Sequence, residues 1–401
     1  MKRVLGLISF LLAIQFLSGC DTGTTSMEKS DEVTVSDAEL AGNPFRQDWE
    51  TPYGVPPFSD IENSDYLPAI KKAILEMRDE IQTIVSNSEE PTFANTIVAL
   101  ELAGQSLNKV SRTFGNITGT DTDEELRSLE TEIYPMLTRE YDAISLNEVL
   151  YDRVKKVYDS RESLGLNEQD GRLLELTHRS FIRSGAAFSP DVKSKIASIN
   201  EEISALTTKF AQNLLLETKA FRLELKSDEE VSGLSDDFKS AIWDAEKEAW
   251  VVGLNRSSYE SFMVQSNNRS LREKLFNGYR LRATEGERDN GPIAIQIAKL
   301  RAERAELMGY ESHAHYVLEY NMAKSPQGAE DFLLKVWAPG LEQAKKERAD
   351  MQAMLAGETF QAWDWWHLAE KLRLQRYELD ENQTKPYFKL ENVQAGAFAM
   401  A

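Results

Sequence analysis

The apolar positions of this chain follow two periods, and the change from one to the other organises it. Leu67, Ile70, Ile74, Met77, Ile81 and Ile84 step by three and four, which places them on one helix face. Phe93, Ile97, Leu100, Leu107, Val110 and Phe114 continue the pattern, with Pro91 suited to the first turn of that second helix. Leu126, Leu129, Ile133 and Leu137 predict a third helix. Val192, Ile196, Ile199, Ile203, Leu206, Phe210 and Leu214 form the cleanest stripe, entered through Ser189 as cap and Pro190 as first-turn proline. The period then shortens. Phe221, Leu223 and Leu225 alternate with Arg222, Glu224 and Lys226, as in a strand. Residues 249–254 and 261–265 are further short apolar runs, and together the three predict a small sheet among helices. Helical spacing returns at Leu271, Leu275 and Tyr279, and again over 293–307. The fold class is mainly α with a small β insertion, and without internal repeats the chain is no solenoid.

The N-terminus breaks this picture. Lys2 and Arg3 precede an apolar run over 5–17, interrupted by Gly6, Ser9 and Gln15, which is short for a bilayer span and reads as a signal-peptide core. Leu17-Ser18-Gly19-Cys20 then resembles a bacterial lipobox. The expectation is a signal peptide over 1–19 and lipidation at Cys20, whose acyl chains hold the protein to a membrane. Residues 20–42, rich in Thr, Ser, Asp and Glu, read as a flexible tether, and 43–401 as the helical body. The location implied is the bacterial cell envelope, facing the periplasm, with inner or outer membrane left open. Cys20 is the only cysteine, which excludes an intrachain disulfide and leaves no thiol for metal binding or nucleophilic catalysis.

Composition narrows the partners. With 46 basic and 66 acidic side chains in 401 residues the net charge is −20, which repels phosphate backbones and excludes nucleic acid. An apolar fraction of 41%, with 17 Phe, 13 Tyr and 7 Trp, fills a sizeable core.

Candidate chemistry is sparse. The histidines are His178, His313, His315 and His367. His367 and Glu370 have the H-x-x-E spacing of an inverted zinc helix, but Lys371 stands where a second histidine belongs, and an ammonium cannot ligate zinc. His313 and His315 lie two apart in a stretch with helical character, where they point away from each other. No nucleophile elbow, P-loop or dinucleotide-binding glycine motif is present, and the carboxylates spread over solvent faces without a distinguishable acid/base pair.

Several blocks occur in an order that carries more. They are TPYGVPPF at 51–58, PTFANT at 91–96, NRSLREKLFNGY at 268–279, RAERAELMGYESHAHYVLEYNMAKSP at 301–326, WDWW at 363–366 and YFKLENV at 387–393. From about residue 43 to 393 the chain resembles the thimet-oligopeptidase family of zinc metallopeptidases, in its bacterial peptidyl-dipeptidase (dipeptidyl carboxypeptidase) branch. The resemblance implies the N-terminal portion of an α-rich, two-lobed ellipsoid whose channel admits short unstructured peptides. It also implies zinc held by two histidines of H-E-x-x-H and a distant glutamate, a general-base glutamate, and release of dipeptides from free C-termini. The family's motif lies downstream of YFKLENV, and no H-E-x-x-H occurs in these 401 residues, so no catalytic or metal residue carries over. Zinc is expected for a complete enzyme and none for this chain, which alone is expected to be inactive. Three readings stay open: the front part of an interrupted gene, one half of an enzyme whose catalytic fragment is a separate chain, or a non-catalytic peptide-binding or inert lipoprotein. The first is favoured, because residues 395–401 are small and apolar with no helix stop signal.

Overall fold

The computed structural model describes residues 33–378 and 383–401; the proposed signal peptide and Cys20 lie outside the described residues. The structure is 69% helical with one three-stranded sheet. In chain order the helices before the sheet are α1 (Asn63–Val85), α2 (Ala99–Leu102), α3 (Gln105–Thr120), α4 (Glu124–Ser145), α5 (Glu148–Asp159), α6 (Glu168–Ser184) and α7 (Pro190–Ala220). There follow β1 (Leu223–Leu225), α8 (Asp236–Ala241), β2 (Trp243–Asp244), β3 (Ala249–Val252), α9 (Arg256–Gln265) and α10 (Arg269–Arg280). The chain continues through α11 (Gly291–Leu307), α12 (His313–Leu318), α13 (Pro326–Ala353), α14 (Trp365–Tyr377) and α15 (Leu390–Met400). It divides into two compact units, one of Met1–Gln212 with Pro292–Val317, the other of Asn213–Gly291 with Leu318–Ala401.

The first unit is built on the α1 stripe. Ile70, Ile74, Met77, Ile81 and Ile84 are buried, and α3 supplies Leu107, Val110 and Phe114 to the same core. From α4, α5 and α6 come Ile133 and Leu137, Leu150 and Val154, and Leu174 and Phe181. One charged pair enters this apolar layer: Arg78 Nε of α1 donates to buried Glu140 of α4 at 2.8 Å. Residues 33–42, part of the segment read as a tether, lie against this unit, with Leu40 only 3% exposed and Val33 packed on the core.

The second predicted helix is broken. Thr92 caps a π-helical turn, Phe93–Val98, so Pro91 sits ahead of the cap, outside the helix's first turn. Thr92 Oγ1 accepts from the Asn95 N–H at 3.0 Å, and Asn95 Oδ1 accepts from the Thr92 N–H at 2.8 Å. Asn95 Oδ1 also accepts from Arg153 of α5 at 3.3 Å. The break between α2 and α3 falls at Gly104, where φ is +73° and the N–H donates to Glu80 Oε2 at 2.7 Å. A Cβ there would meet Met77 Sδ at 3.1 Å.

In the second unit the sheet order is β1-β3-β2, antiparallel throughout, with Leu223 opposite Val252 and Leu225 opposite Trp250. Leu223 and Leu225 point inward and Glu224 outward, as the alternation requires. The run 261–265 is the expectation that fails: it belongs to helix α9. Asn255 Oδ1 accepts from the Ser258 N–H at 3.0 Å and starts the helix, which buries Tyr259, Phe262 and Met263 at helical spacing. A short apolar run does not distinguish a strand from a buried helix turn, and the cap decides here. The third strand is instead the two-residue β2.

Within α10, Gly278 lets Phe221 lie directly on the backbone; a Cβ would meet the Phe221 ring at 2.4 Å. Gly115 in α3 has nothing within 4 Å of the same position. Gly278→Ala is therefore expected to lower stability by about 1–3 kcal/mol through overpacking. Gly115→Ala is expected to raise stability by roughly 0.5–1 kcal/mol through the helix preference of alanine. Urea unfolding of the two variants against the parent checks both signs.

Candidate functional site

The densest polar constellation of the second unit joins two of the sequence blocks. α10 begins at Asn268, whose Oδ1 accepts from the Leu271 N–H at 3.2 Å, and presents Arg269 and Arg272 three residues apart on one face. The turn Ala362–Asp364, which runs into WDWW, places Asp364 against them with no exposed surface. Arg269 donates through Nε to Asp364 Oδ1 at 2.9 Å and through Nη2 to Oδ2 at 2.7 Å. Arg272 Nη2 donates to Oδ1 at 3.0 Å, and the Gln361 N–H to Oδ2 at 3.0 Å. Arg272 is itself 3% exposed, and its remaining N–H groups donate to the carbonyls of Ser266, at 2.8 Å, and Trp363, at 3.2 Å.

The electrostatics follow from this closure. Burial pushes the Asp364 carboxyl up, but the hydrogen bonds from Arg269, the Gln361 N–H and Arg272 outweigh it and leave its pKa below the ordinary carboxylate value. The two arginines shift in opposite directions. Burial draws Arg272 down against the pull of Asp364, whereas Arg269, nearer solvent, is raised by its bonds to Asp364. Both shifts leave the centre ionised, since a guanidinium stays charged at any ordinary pH. A carboxylate holding this many donors has no lone pair free for proton transfer or metal binding, so the centre is a clasp.

The histidine candidates resolve individually. His367 Nδ1 donates to the Val264 carbonyl of α9 at 2.9 Å, an assignment fixed because a carbonyl only accepts. Burial, with Arg272 and Lys371 nearby, lowers its pKa to about 4. Glu370 is engaged by Arg373 through two bonds of 2.7 Å. His313 and His315 stand in the single short helix α12. His315 Nδ1 lies 2.9 Å from Ser312 Oγ, and its Nε2 lies 3.6 Å from Glu311. His313 is lowered to about 4 by burial and then by Arg304 and Arg301. His178 stacks on Tyr158 with ring centres 3.8 Å apart and is lowered by burial. Among the described residues no group of three or more His, Cys, Asp or Glu is placed to hold a metal ion. Cys20 lies outside the described residues.

A second feature of this unit is apolar. Phe332, Leu333, Val336, Trp337 and Leu341 stand along α13 at helical spacing and are exposed, Trp337 by 64%. In α15 no residue is buried, and Leu390, Val393 and Phe398 face solvent. Sequence reasoning located neither the clasp nor this face. The signals present were the arginine pair at i and i+3 and the run FLLKVW at 332–337.

Comparison with known proteins places these features in a lineage. Residues 262–401 match the family model described as Peptidase family M3. Over 370 residues, 90% of this chain, it is 32% identical to the dipeptidyl carboxypeptidase of Salmonella typhimurium, covering 54% of that protein. It is 33% identical over 361 residues, 88% of the chain, to the dipeptidyl carboxypeptidase of Escherichia coli, covering 53%. Oligopeptidase A of Salmonella typhimurium is 26% identical over 87% of the chain, which covers 53% of it. The chain thus spans about half the length of these curated relatives.

The clasp generates a stability prediction with a defined pH dependence. Asp364→Asn leaves Arg272 buried beside a neutral partner and is expected to cost about 3–5 kcal/mol at pH 7. Asp364 is depressed in the folded state, so its contribution is present above the unfolded pKa of about 3.9 and drains as pH falls through the folded value. His367 is depressed from about 6.5 unfolded, so its contribution is complete above that pH and drains towards pH 4. The urea midpoint is therefore expected to fall on acidification from pH 7 to 4, and His367→Asn, which keeps a donor for Val264, to flatten that fall. Of the seven tryptophans only Trp49 belongs to the first unit, so tryptophan fluorescence reports on the second.

Proposed function

We propose that the chain is a member of peptidase family M3, on its dipeptidyl carboxypeptidase branch, and is the non-catalytic part of a zinc peptidase that removes dipeptides from the free C-termini of short unstructured peptides. The observation that carries the reading is identity above 30% with two dipeptidyl carboxypeptidases over about nine-tenths of the chain. Zinc and its activated water belong to residues outside the matched half, because H-E-x-x-H is absent from this sequence and the described residues offer no zinc donor set. No catalytic step is assigned to His178, His313, His315 or His367.

The residues that complete the enzyme carry the zinc motif and lie in the part of the relatives' length that this chain does not span. The open apolar rows of α13 and the unburied α15, both inside the family match, support this, since apolar surface of that extent is normally covered. Cys20 is the lipid attachment point, placing the protein on a bacterial envelope membrane with its body in the periplasm. Among the described residues no helix is long and apolar enough to cross a membrane. The charge of −20 disfavours any nucleic-acid role.

Two measurements test this. The purified 401-residue chain is expected to hold less than stoichiometric zinc by plasma mass spectrometry and to release no dipeptide from a peptide with a free C-terminus. Stoichiometric zinc with chelator-sensitive dipeptide release would overturn the non-catalytic assignment. In bacterial cells fed an alkyne-labelled fatty acid, the chain is expected to take up label in the membrane fraction and Cys20→Ala to take up none. Equal labelling of both would remove the anchor.

A further inference from the structure

Helix α13 carries a lengthwise seam that the chain leaves open. Every residue from Glu330 to Gln343 is exposed, so among the described residues no face of the helix is covered there. Glu330, Leu334, Trp337, Leu341, Ala344 and Arg348 follow one another by four, three, four, three and four residues. That is the repeat of a helix that packs along a second helix. Leu334, Trp337 and Leu341 form the apolar middle of the row and are exposed, and Glu330 and Arg348 are its charged ends. Among the described residues neither end forms an ion pair; Arg348 lies over the Phe360 ring, 5.9 Å from its centre. Pro339 stands on the far side of the helix, which runs on past it to Ala353.

We propose that two copies of this chain pair through the seam, their α13 helices antiparallel about a two-fold axis near Pro339. A two-fold contact needs a patch that complements itself, and this one does. The pairing sets Glu330 against the partner's Arg348, Leu334 against the partner's Ala344 and Trp337 against the partner's Leu341, and the axis repeats each layer. Opposite charges thus meet at both ends, and a larger side chain meets a smaller one in every inner layer. On the flank, Asp331 falls beside the partner's Lys345, again of opposite sign. Ala338 and Gly340, the flanking residues nearest the axis, are small and let the backbones approach closely. A parallel pairing fails on each count. Glu330 would face Glu330 and Arg348 would face Arg348, while two Trp337 rings would crowd one layer and two Ala344 would leave the next one empty. A bilayer is the poorer occupant, because the charges beside the seam are of both signs and the chain carries −20. The pairing goes beyond the peptidase reading and does not rest on it. Phe332 and Val336 turn away from the seam and stay outside the contact.

Analytical ultracentrifugation of the full chain tests this, in a Cys20→Ala background that carries no acyl chain. A monomer–dimer equilibrium that shifts with concentration is expected. Trp337→Asp places a charge in each of two central layers and is expected to weaken dimerisation by at least about a hundredfold. Val336→Asp, one residue away on the open side, is expected to leave it unchanged. Both positions are exposed, so neither variant endangers the fold. Glu330→Arg sets like charges at both ends and is expected to weaken dimerisation by about tenfold or more, and adding Arg348→Glu is expected to restore it. Orientation is read from nitroxide labels, one per chain, because Cys20 is the only native cysteine. A label at Gly340→Cys is expected to give a short distance between copies, and one at Gln327→Cys a distance of more than about 30 Å. A chain that stays monomeric at every concentration would overturn the proposal and leave the seam to the residues that complete the enzyme. Self-association undiminished by Trp337→Asp, or reduced as much by Val336→Asp, would overturn it in favour of unspecific contact, and equal label distances would overturn the antiparallel pairing. None of these readouts involves zinc or hydrolysis, so they stand apart from the test of the peptidase reading.

Discussion

The second unit depends on keeping one guanidinium group, that of Arg272, charged in a place that excludes water. Arg272 is nearly inaccessible, and only a buried carboxylate with two carbonyls closes its valences. That need fixes the geometry around it. α10 must run so that Arg269 and Arg272 share a face, and the turn Ala362–Asp364 must stop where its last residue meets both. His367, one turn further on, then reaches the Val264 carbonyl of α9. Three helices and a turn are tied through a handful of polar atoms, and the apolar contacts of Leu275, Phe276 and Trp363 pack around them. An ionic centre of this kind adds little stability over an apolar one, but it is intolerant of partial loss, so it specifies one arrangement of its elements.

The same logic explains what could be read in the sequence. Stripes such as Ile70, Ile74, Met77 and Ile81 are legible because hydrophobic burial is periodic and local, and they became α1 and its core. The strand at Leu223–Leu225 was legible for the same reason with the shorter period. The clasp was not. An aspartate inside a tryptophan-rich block looks like any surface carboxylate until the chain brings two arginines to it from about ninety residues away in sequence. The helix at 256–265 was misread because three adjacent apolar residues fit either period, and its decisive feature was one asparagine cap. The π-helical turn after Pro91 was missed because its cap, Thr92 with Asn95, gives no sign of how the following turn is wound.

The histidines show why spacing alone is a weak guide to metal chemistry. His367 and Glu370 have a ligand-like separation, yet Glu370 is held by an arginine, and among the described residues no third donor stands with them. A ligand needs a free lone pair directed at a shared point, and a depressed imidazole pKa arises equally from plain burial, as at His313 and His367. The perturbed groups here trace to packing. The likeness to dipeptidyl carboxypeptidases therefore rests on identity over most of the chain and owes nothing to any of the four histidines.

Two buried carboxylates show how charge is held inside this molecule. Glu140 is matched by one arginine, and Asp364 by two arginines and a backbone N–H, so in both the charge is met by donors that the chain itself supplies. A buried carboxylate without such donors would be destabilising, because its desolvation would go uncompensated. Matched charges of this kind therefore fix the arrangement of elements within each unit.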